Sequence, residues 1–184
     1  MISELHIDDA NVKHWYLKGT RKHHREDGPA YETPDGTKKW FFNGKLHRED
    51  GPATEWKGGS REWYNDNKLH REDGPAVELD NGVKAWFING DPHREDGPAY
   101  IHPSGIKKWY QDGLLHRVDG PAVEWDDGEK SWFLNGEQYS EKDWKREVAK
   151  TELGMDDVDS QIWDTLGLFE GKILDYKSFK NKMS

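Results

Sequence analysis

The stretch His70-Arg71-Glu72-Asp73-Gly74-Pro75-Ala76 decides how this chain is read. The same seven residues stand at 24–30, 47–53 and 93–99, and a fifth copy at 116–122 carries Val118 in place of the Glu. The copies begin at His24, His47, His70, His93 and His116, a constant step of 23 residues. A fixed period in this range is the signature of stacked supersecondary units. It also changes the weight of every residue. A side chain present in each copy is scaffold before it is catalyst.

Outward from the phrase, the rest of the unit keeps step. Trp40, Trp63, Trp86, Trp109 and Trp132 are each followed by an aromatic: Phe41, Tyr64, Phe87, Tyr110 and Phe133. A base sits two residues before each Trp, at Lys38, Arg61, Lys84, Lys107 and Lys130. Gly36, Gly59, Gly82, Gly105 and Gly128 mark one turn. Asn43-Gly44, Asp66-Asn67, Asn89-Gly90, Asp112-Gly113 and Asn135-Gly136 mark a second. Asn-Gly and Asp-Gly are strong hairpin signals, because a type I′ turn needs φ > 0 at both central residues. Pro cannot donate to a sheet ladder and fits a corner or a strand start.

The expected unit is therefore a β-hairpin. It has a short segment such as Ala76-Val77-Glu78-Leu79, a Gly turn, and a strand such as Lys84-Ala85-Trp86-Phe87-Ile88. Alternation puts the Trp column on one face and the Phe/Tyr column on the other. Two strands per unit at ~4.8 Å give five units a span of roughly 50 Å. The expected fold is mainly β: five to six stacked hairpin repeats in an elongated, twisted antiparallel sheet, with a small C-terminal α-helical cap. Stacking is what buries the ladders, since one hairpin is not stable alone.

Residues 1–23 read as an N-terminal cap with a partial repeat, His14-Trp15-Tyr16-Leu17-Lys18-Gly19, and two extra residues before His24. Residues 24–139 form the five-repeat array. The period ends where Tyr139 stands in place of a sixth His, and residues 140–184 form a helical region. Ser140-Glu141-Lys142-Asp143 resembles a capping box. Trp144 and Val148 follow at i, i+4 spacing, so a helix is expected from about 141 to 152, ended by Gly154. A second helix is expected at about 156–166, and a packed segment with a basic end at 168–184. The tail reads as a cover for the last sheet edge, or as a partner-binding element.

Of 184 residues, 33% are hydrophobic and 34% charged, with mean hydropathy −1.14, which alone leans toward disorder. Ten Trp, seven Tyr and six Phe argue otherwise, since each can bury ~150–250 Å². The net charge of −9 and the lack of a basic patch argue against a nucleic-acid partner. The absence of Cys excludes disulfides, thiolate chemistry and Cys-based zinc sites. Neither a signal peptide nor a membrane span is expected. The reading is a soluble cytoplasmic protein.

The units Trp-Tyr/Phe-x-Asn-Gly-x-Leu-His-Arg-x-Asp-Gly-Pro-Ala, over residues 13–139, resemble the MORN-variant repeat proteins. The His-Arg-x-Asp-Gly-Pro-Ala version is similar to proteins of large bacteriophages and giant viruses. The resemblance implies an array of β-hairpin units that acts as a contact platform for protein or lipid, with no catalytic residues. If the source is viral, it implies a host protein, such as a defence factor, as partner and the host cytoplasm as location.

The five His cannot share a metal ion, because neighbouring copies lie ~10 Å apart and zinc–nitrogen bonds are ~2.0–2.1 Å. His47, His70 and His93 are expected to hydrogen-bond the local corner. Arg48, Arg71 and Arg94 are expected to pair with Asp50, Asp73 and Asp96 as corner brackets, with Arg stacked on a ladder aromatic. The competing reading is a row of Arg forks for phosphate. Glu26, Glu49, Glu72 and Glu95 weaken it, and only the copy with Val118 lacks that acid. His116 and Arg117 are thus the candidate anion site. Where the repeat varies, Trp56, Ile101, His102 and Trp125 break the polar expectation and are candidate partner contacts. There is no Walker loop, Gly-x-Ser-x-Gly or His-Glu-x-x-His. The reading is a non-enzymatic scaffold for a protein partner, without metal or cofactor. The alternative is a nucleotide-sequestering protein that uses Arg rows and aromatic ladders.

Overall fold

The second turn of each unit needs left-handed backbone at two successive residues, and the sequence supplies residues that tolerate it. Asn43 has φ 52° and Gly44 φ 85°. In the next unit Asp66 and Asn67 take φ 51° and 68° without a Gly, which short polar side chains allow. The computed structural model describes residues 2–153.

β1 (Ser3–Ile7) and β2 (Lys13–Leu17) form the first hairpin. The first full unit then gives four short strands: β3 (Tyr31–Glu32), β4 (Lys38–Lys39), β5 (Phe41–Phe42) and β6 (Lys45–Leu46). β3, β4 and their equivalents join β1, β2 and the last strands in an open thirteen-stranded antiparallel sheet. β5 and β6 pair only with each other, as do their equivalents in the next three units.

The first four units are thus two hairpins each, not one, whereas the last keeps one continuous strand, Lys130–Leu134. The expected strand from Lys84 to Ile88 breaks at Trp86, with Lys84–Ala85 in the large sheet and Phe87–Ile88 in a separate ribbon. The Trp backbone explains the break, because it bonds in two directions. Trp86 N donates to Ala99 O at 2.8 Å, and Trp86 O accepts from His93 N at 3.2 Å. The ribbons form a second rank, tied to one another by bonds such as Gly90 N to Leu69 O at 2.8 Å. Thirteen strands at ~4.8 Å give a sheet of roughly 58 Å.

Where consecutive units meet, Ala30, Ala53, Ala76, Ala99 and Ala122 are fully buried. The small Ala that ends the phrase suits that closed contact. At the N-terminal end β1 covers the edge of β2. The two extra residues widen the first ribbon turn: Tyr16 bridges His23, whereas Phe41 pairs with Leu46.

At the other end, strands Lys130–Leu134 and Glu137–Tyr139 lead into α1 (Glu141–Leu153), close to the expected span. Ser140 Oγ accepts from Asp143 N at 3.1 Å and donates to the Asp143 carboxylate at 2.6 Å. Trp144, Val148 and Ala149 are buried. Trp144 sits 4.6 Å from the ring of Trp132, and its indole Nε1 donates to Arg117 O at 2.9 Å. The expected second helix and the segment at 168–184 lie outside the described residues. Among the described residues no helix is long and apolar enough to cross a membrane.

Trp144→Ala should cost about 3 kcal/mol or more, the usual loss for truncating a buried large aromatic. Denaturant titration followed by tryptophan fluorescence measures it. A change below about 0.5 kcal/mol would mean that α1 does not hold the end of the array.

Candidate functional site

Every copy of the phrase folds its Arg back onto the preceding Trp. The guanidinium carbons of Arg25, Arg48, Arg71, Arg94 and Arg117 lie 4.2, 4.1, 4.0, 4.1 and 3.9 Å from the ring centres of Trp15, Trp40, Trp63, Trp86 and Trp109. The opposite side of each Arg faces the Gly of the phrase. A Cβ on Gly74 would stand 2.9 Å from Arg71 Cζ, and one on Gly120 2.8 Å from Arg117 Cζ. The phrase carries Gly there to leave room for a guanidinium.

The edges of the guanidinium are also engaged. Nε of Arg48, Arg71 and Arg94 donates to Asp50, Asp73 and Asp96, each at 2.8 Å. NH1 donates to the carbonyls of Pro52, Pro75 and Pro98 at 3.2, 3.3 and 3.3 Å. A further acid seven residues on completes the set: Glu55 for Arg48, Glu78 for Arg71 and Glu124 for Arg117, at 3.1, 3.4 and 3.2 Å. The hydrogen bond and charge of each Arg hold Asp27, Asp50, Asp73 and Asp96 below the usual carboxylate range.

Arg117 is not the freed fork that the nucleotide-binding alternative needs beside Val118. It donates to Asp119 at 2.7 Å, to Pro121 O at 3.2 Å and to Glu124. Val118 removes an exposed acid, not a partner of Arg117, so the loss leaves the bracket whole. His116 has a separate task, as do its sister His residues. Nδ1 of His24, His70, His93 and His116 accepts from the backbone N–H of Asn43, Asn89, Asp112 and Asn135 at 3.0–3.1 Å. Each His therefore clips the ribbon turn of the following unit rather than its own corner. His47 differs: its Nδ1 lies 3.5 Å from an Asp66 carboxylate oxygen, in the unit whose turn is Asp-Asn.

Successive phrases enclose open clefts of about 600, 770 and 810 Å³. Trp40, Trp63 and Trp86 line them in turn, and exposed acids such as Glu49, Asp50, Glu72 and Asp73 form their walls.

The large sheet has two distinct faces. On one, the cross-strand register runs Lys13, Glu32, Lys38, Glu55, Arg61, Glu78, Lys84, Ile101, Lys107, Glu124, Lys130. The signs alternate except at Ile101. The Arg–Trp brackets share this face, because they reach Glu55, Glu78 and Glu124. On the other face lie Tyr31, Lys39 and Trp56, and three units later Tyr100, Lys108 and Trp125. Lys39 Nζ is 5.7 Å from the Tyr31 ring and 4.6 Å from the Trp56 ring. Lys108 Nζ is 5.6 Å from Tyr100 and 5.4 Å from Trp125. Trp56 and Trp125 remain 40% and 39% exposed.

The four candidate contacts are therefore split. Trp56 and Trp125 belong to the aromatic face. His102 holds the same position in its unit, but its Nδ1 lies 2.8 Å from Ser104 Oγ and takes part in the local turn. Ile101 lies on the charged face.

One cluster escaped the sequence reading. His14 Nδ1 lies 3.0 Å from His23 Nε2, and His14 Nε2 lies 3.2 Å from Asp8 Oδ2. Burial, and then the charge of His14, pushes His23 below its ordinary value. The signal was there: His23 occupies the ribbon position that Leu46, Leu69 and Leu115 fill in other units. No group of His, Asp and Glu among the described residues is arranged to hold a metal ion.

No protein-family profile matches the chain, and no curated protein matches it.

Gly74→Ala should push Arg71 off Trp63 and cost about 1 kcal/mol; in an Arg71→Ala background the same change should cost nothing. A double-mutant cycle by urea unfolding reads the coupling, and equal costs in both backgrounds would refute the bracket. A second outcome concerns acid. The depressed carboxylates favour the folded state fully above their unfolded value of ~3.9 and lose that contribution as pH falls through their lower folded values. The melting temperature should therefore decline steeply below about pH 4, and the triple variant Asp50→Asn, Asp73→Asn, Asp96→Asn should show a shallower decline. An unchanged slope would contradict this.

Proposed function

We propose that this chain is a non-enzymatic repeat scaffold that binds a protein partner across its aromatic face. One observation carries the reading. The cluster of Tyr, Lys and exposed Trp occurs twice, in the same arrangement, three units apart. Six strand spacings separate the two clusters, or roughly 29 Å. Half-exposed Trp is a favoured interface anchor, being large, rigid and able to hydrogen-bond. Two such anchors at a fixed spacing suit a partner that spans several units.

The repeat-invariant groups support the same reading from the other side. The His, Arg and Asp of each phrase are engaged with one another and with backbone, which leaves little for chemistry. The resemblance to phage and giant-virus repeat proteins favours a host protein as partner, in the host cytoplasm. The nucleotide-sequestering alternative draws less support, since each Arg is paired and acids line the clefts between phrases.

Quantitative capture from lysate, comparing the native chain with Trp56→Ala and Trp125→Ala, tests the proposal. Each substitution should weaken a specifically captured protein by about 30-fold, the effect of losing one interface hot spot, without lowering the melting temperature. Capture unaffected by both substitutions would overturn it.

A further inference from the structure

The single break in the charge ladder has the geometry of a missing carboxylate. In all four sister units the residue seven after the Arg is a Glu, and in three of them it is held at 3.1–3.4 Å from NH1. In the fourth unit that residue is Ile101, which pairs directly with Lys84 on one side and Lys107 on the other. Arg94 keeps its stack on Trp86, its bond to Asp96 and its bond to Pro98 O, but gains no second carboxylate among the described residues. Lys84 makes no ion pair among the described residues, and Lys107 reaches only Glu124, at 3.9 Å.

Ile101 thus stands between Lys84 and Lys107 in the ladder, seven residues after Arg94, at a position where three sister units hold a carboxylate against their Arg. Two row neighbours are bound by other Arg residues: Glu78, opposite Lys84 in the ladder, contacts Arg71 at 3.4 Å, and Glu124 contacts Arg117 at 3.2 Å. Asp96 occupies the Nε edge of Arg94 and leaves open the side that Glu fills in three sister units. With Ile in place of Glu, the row carries one negative charge fewer here than at its sister positions. Ile101 is half-buried and offers an apolar floor.

We propose that this position is a docking site for an acidic side chain of a protein partner. The partner's Glu lays its methylene stem on Ile101 and its carboxylate between Lys84, Arg94 and Lys107. The carboxylate thereby completes the ladder in trans. The sister Glu residues show what the site accepts: a planar carboxylate against an Arg whose plane is already fixed by Trp and Gly. Fixing the guanidinium beforehand reduces the ordering cost of binding. An exposed contact of this kind orients a partner and selects for acid more than it adds affinity. The site lies on the face opposite Trp56 and Trp125, so it stands or falls independently of the aromatic surface.

The test uses the full chain, labelled with 15N, and an acetylated tetraglutamate peptide as probe at constant ionic strength. The Arg94 Nε–Hε signal and the amide signals of Lys84, Ile101 and Lys107 should shift, while the Nε signals of Arg48, Arg71 and Arg117 stay. Ile101→Glu places the carboxylate in cis. It should weaken the peptide response by about ten-fold or more, since like charges then meet, and should raise the melting temperature. Ile101→Gln, of similar size to Glu but uncharged, should keep the response. Three results would overturn the proposal: shifts spread equally over all the Arg residues, an Ile101→Glu protein that binds as before, or one that melts lower or fails to fold. Inorganic phosphate is the comparison arm. A phosphate response as strong as that of the peptide would make this a general anion site and would refute the acidic-peptide assignment.

Discussion

A guanidinium held between an indole face and a backbone without a Cβ is the joint on which this structure depends. Arg71 lies 4.0 Å from the centre of the Trp63 ring, while its Nε bonds Asp73 and its NH1 bonds Pro75 O. Trp63 belongs to one unit, and Pro75 leads into the next. The Arg therefore closes a junction between units and does not decorate a corner. The side chains are 19–23% exposed at all five positions, so the stack is shielded on both faces but open at one edge. A contact of this kind is worth between ~0.5 and ~2 kcal/mol as water is excluded from it. It is repeated at each junction, where it adds side-chain contact to the backbone ladder and the His clips in a chain with few aliphatic residues.

The ends of the array show what the joint requires. At the N-terminal end Arg25 reaches Trp15 across two extra residues, and the insertion is absorbed in the ribbon turn. At the C-terminal end Ser140 stands where an Arg over Trp132 would be expected, and Trp144 from α1 covers that ring instead. The helix replaces the missing bracket with a flat aromatic and sends its indole N–H to the last bracket's own backbone, at Arg117 O. The two proposed contact sites use positions that the joint leaves free. These are the pre-turn Trp residues on one face and the uncharged gap at Ile101 on the other.

Much of this was legible in the chain. The constant 23-residue step gave the stacking, the Asn-Gly pairs gave the tight turns, and Ser140 marked the start of α1 within a residue. The Arg–Asp bracket was legible too, because two residues of opposite charge recur beside an obligatory turn. The break at Trp86 was not. Periodicity shows that Trp86 and Phe87 alternate, but not that the Trp backbone bonds two different strands. The role of His was hidden for a related reason. Its partner lies 19 residues away in the following unit, and local reading looks only to the nearest corner. Arg117 misled because Val118 marks a lost acid. The acid that matters to the guanidinium is seven residues on, and there it is the fourth unit that departs, with Ile101. Only the register across strands separates Ile101 from Trp56, since neighbours in sequence point to opposite faces.

Amide hydrogen exchange in an Arg71→Ala variant tests the central claim most directly. Trp63 N donates to Ala76 O at 2.8 Å across the junction that Arg71 closes, and Trp109 N makes the same bond to Ala122 O two junctions away. If the Arg bracket is the joint between units, Trp63 loses protection by about ten-fold or more, while Trp109 keeps the protection of the native chain. Equal loss at both amides, or loss at neither, would contradict it.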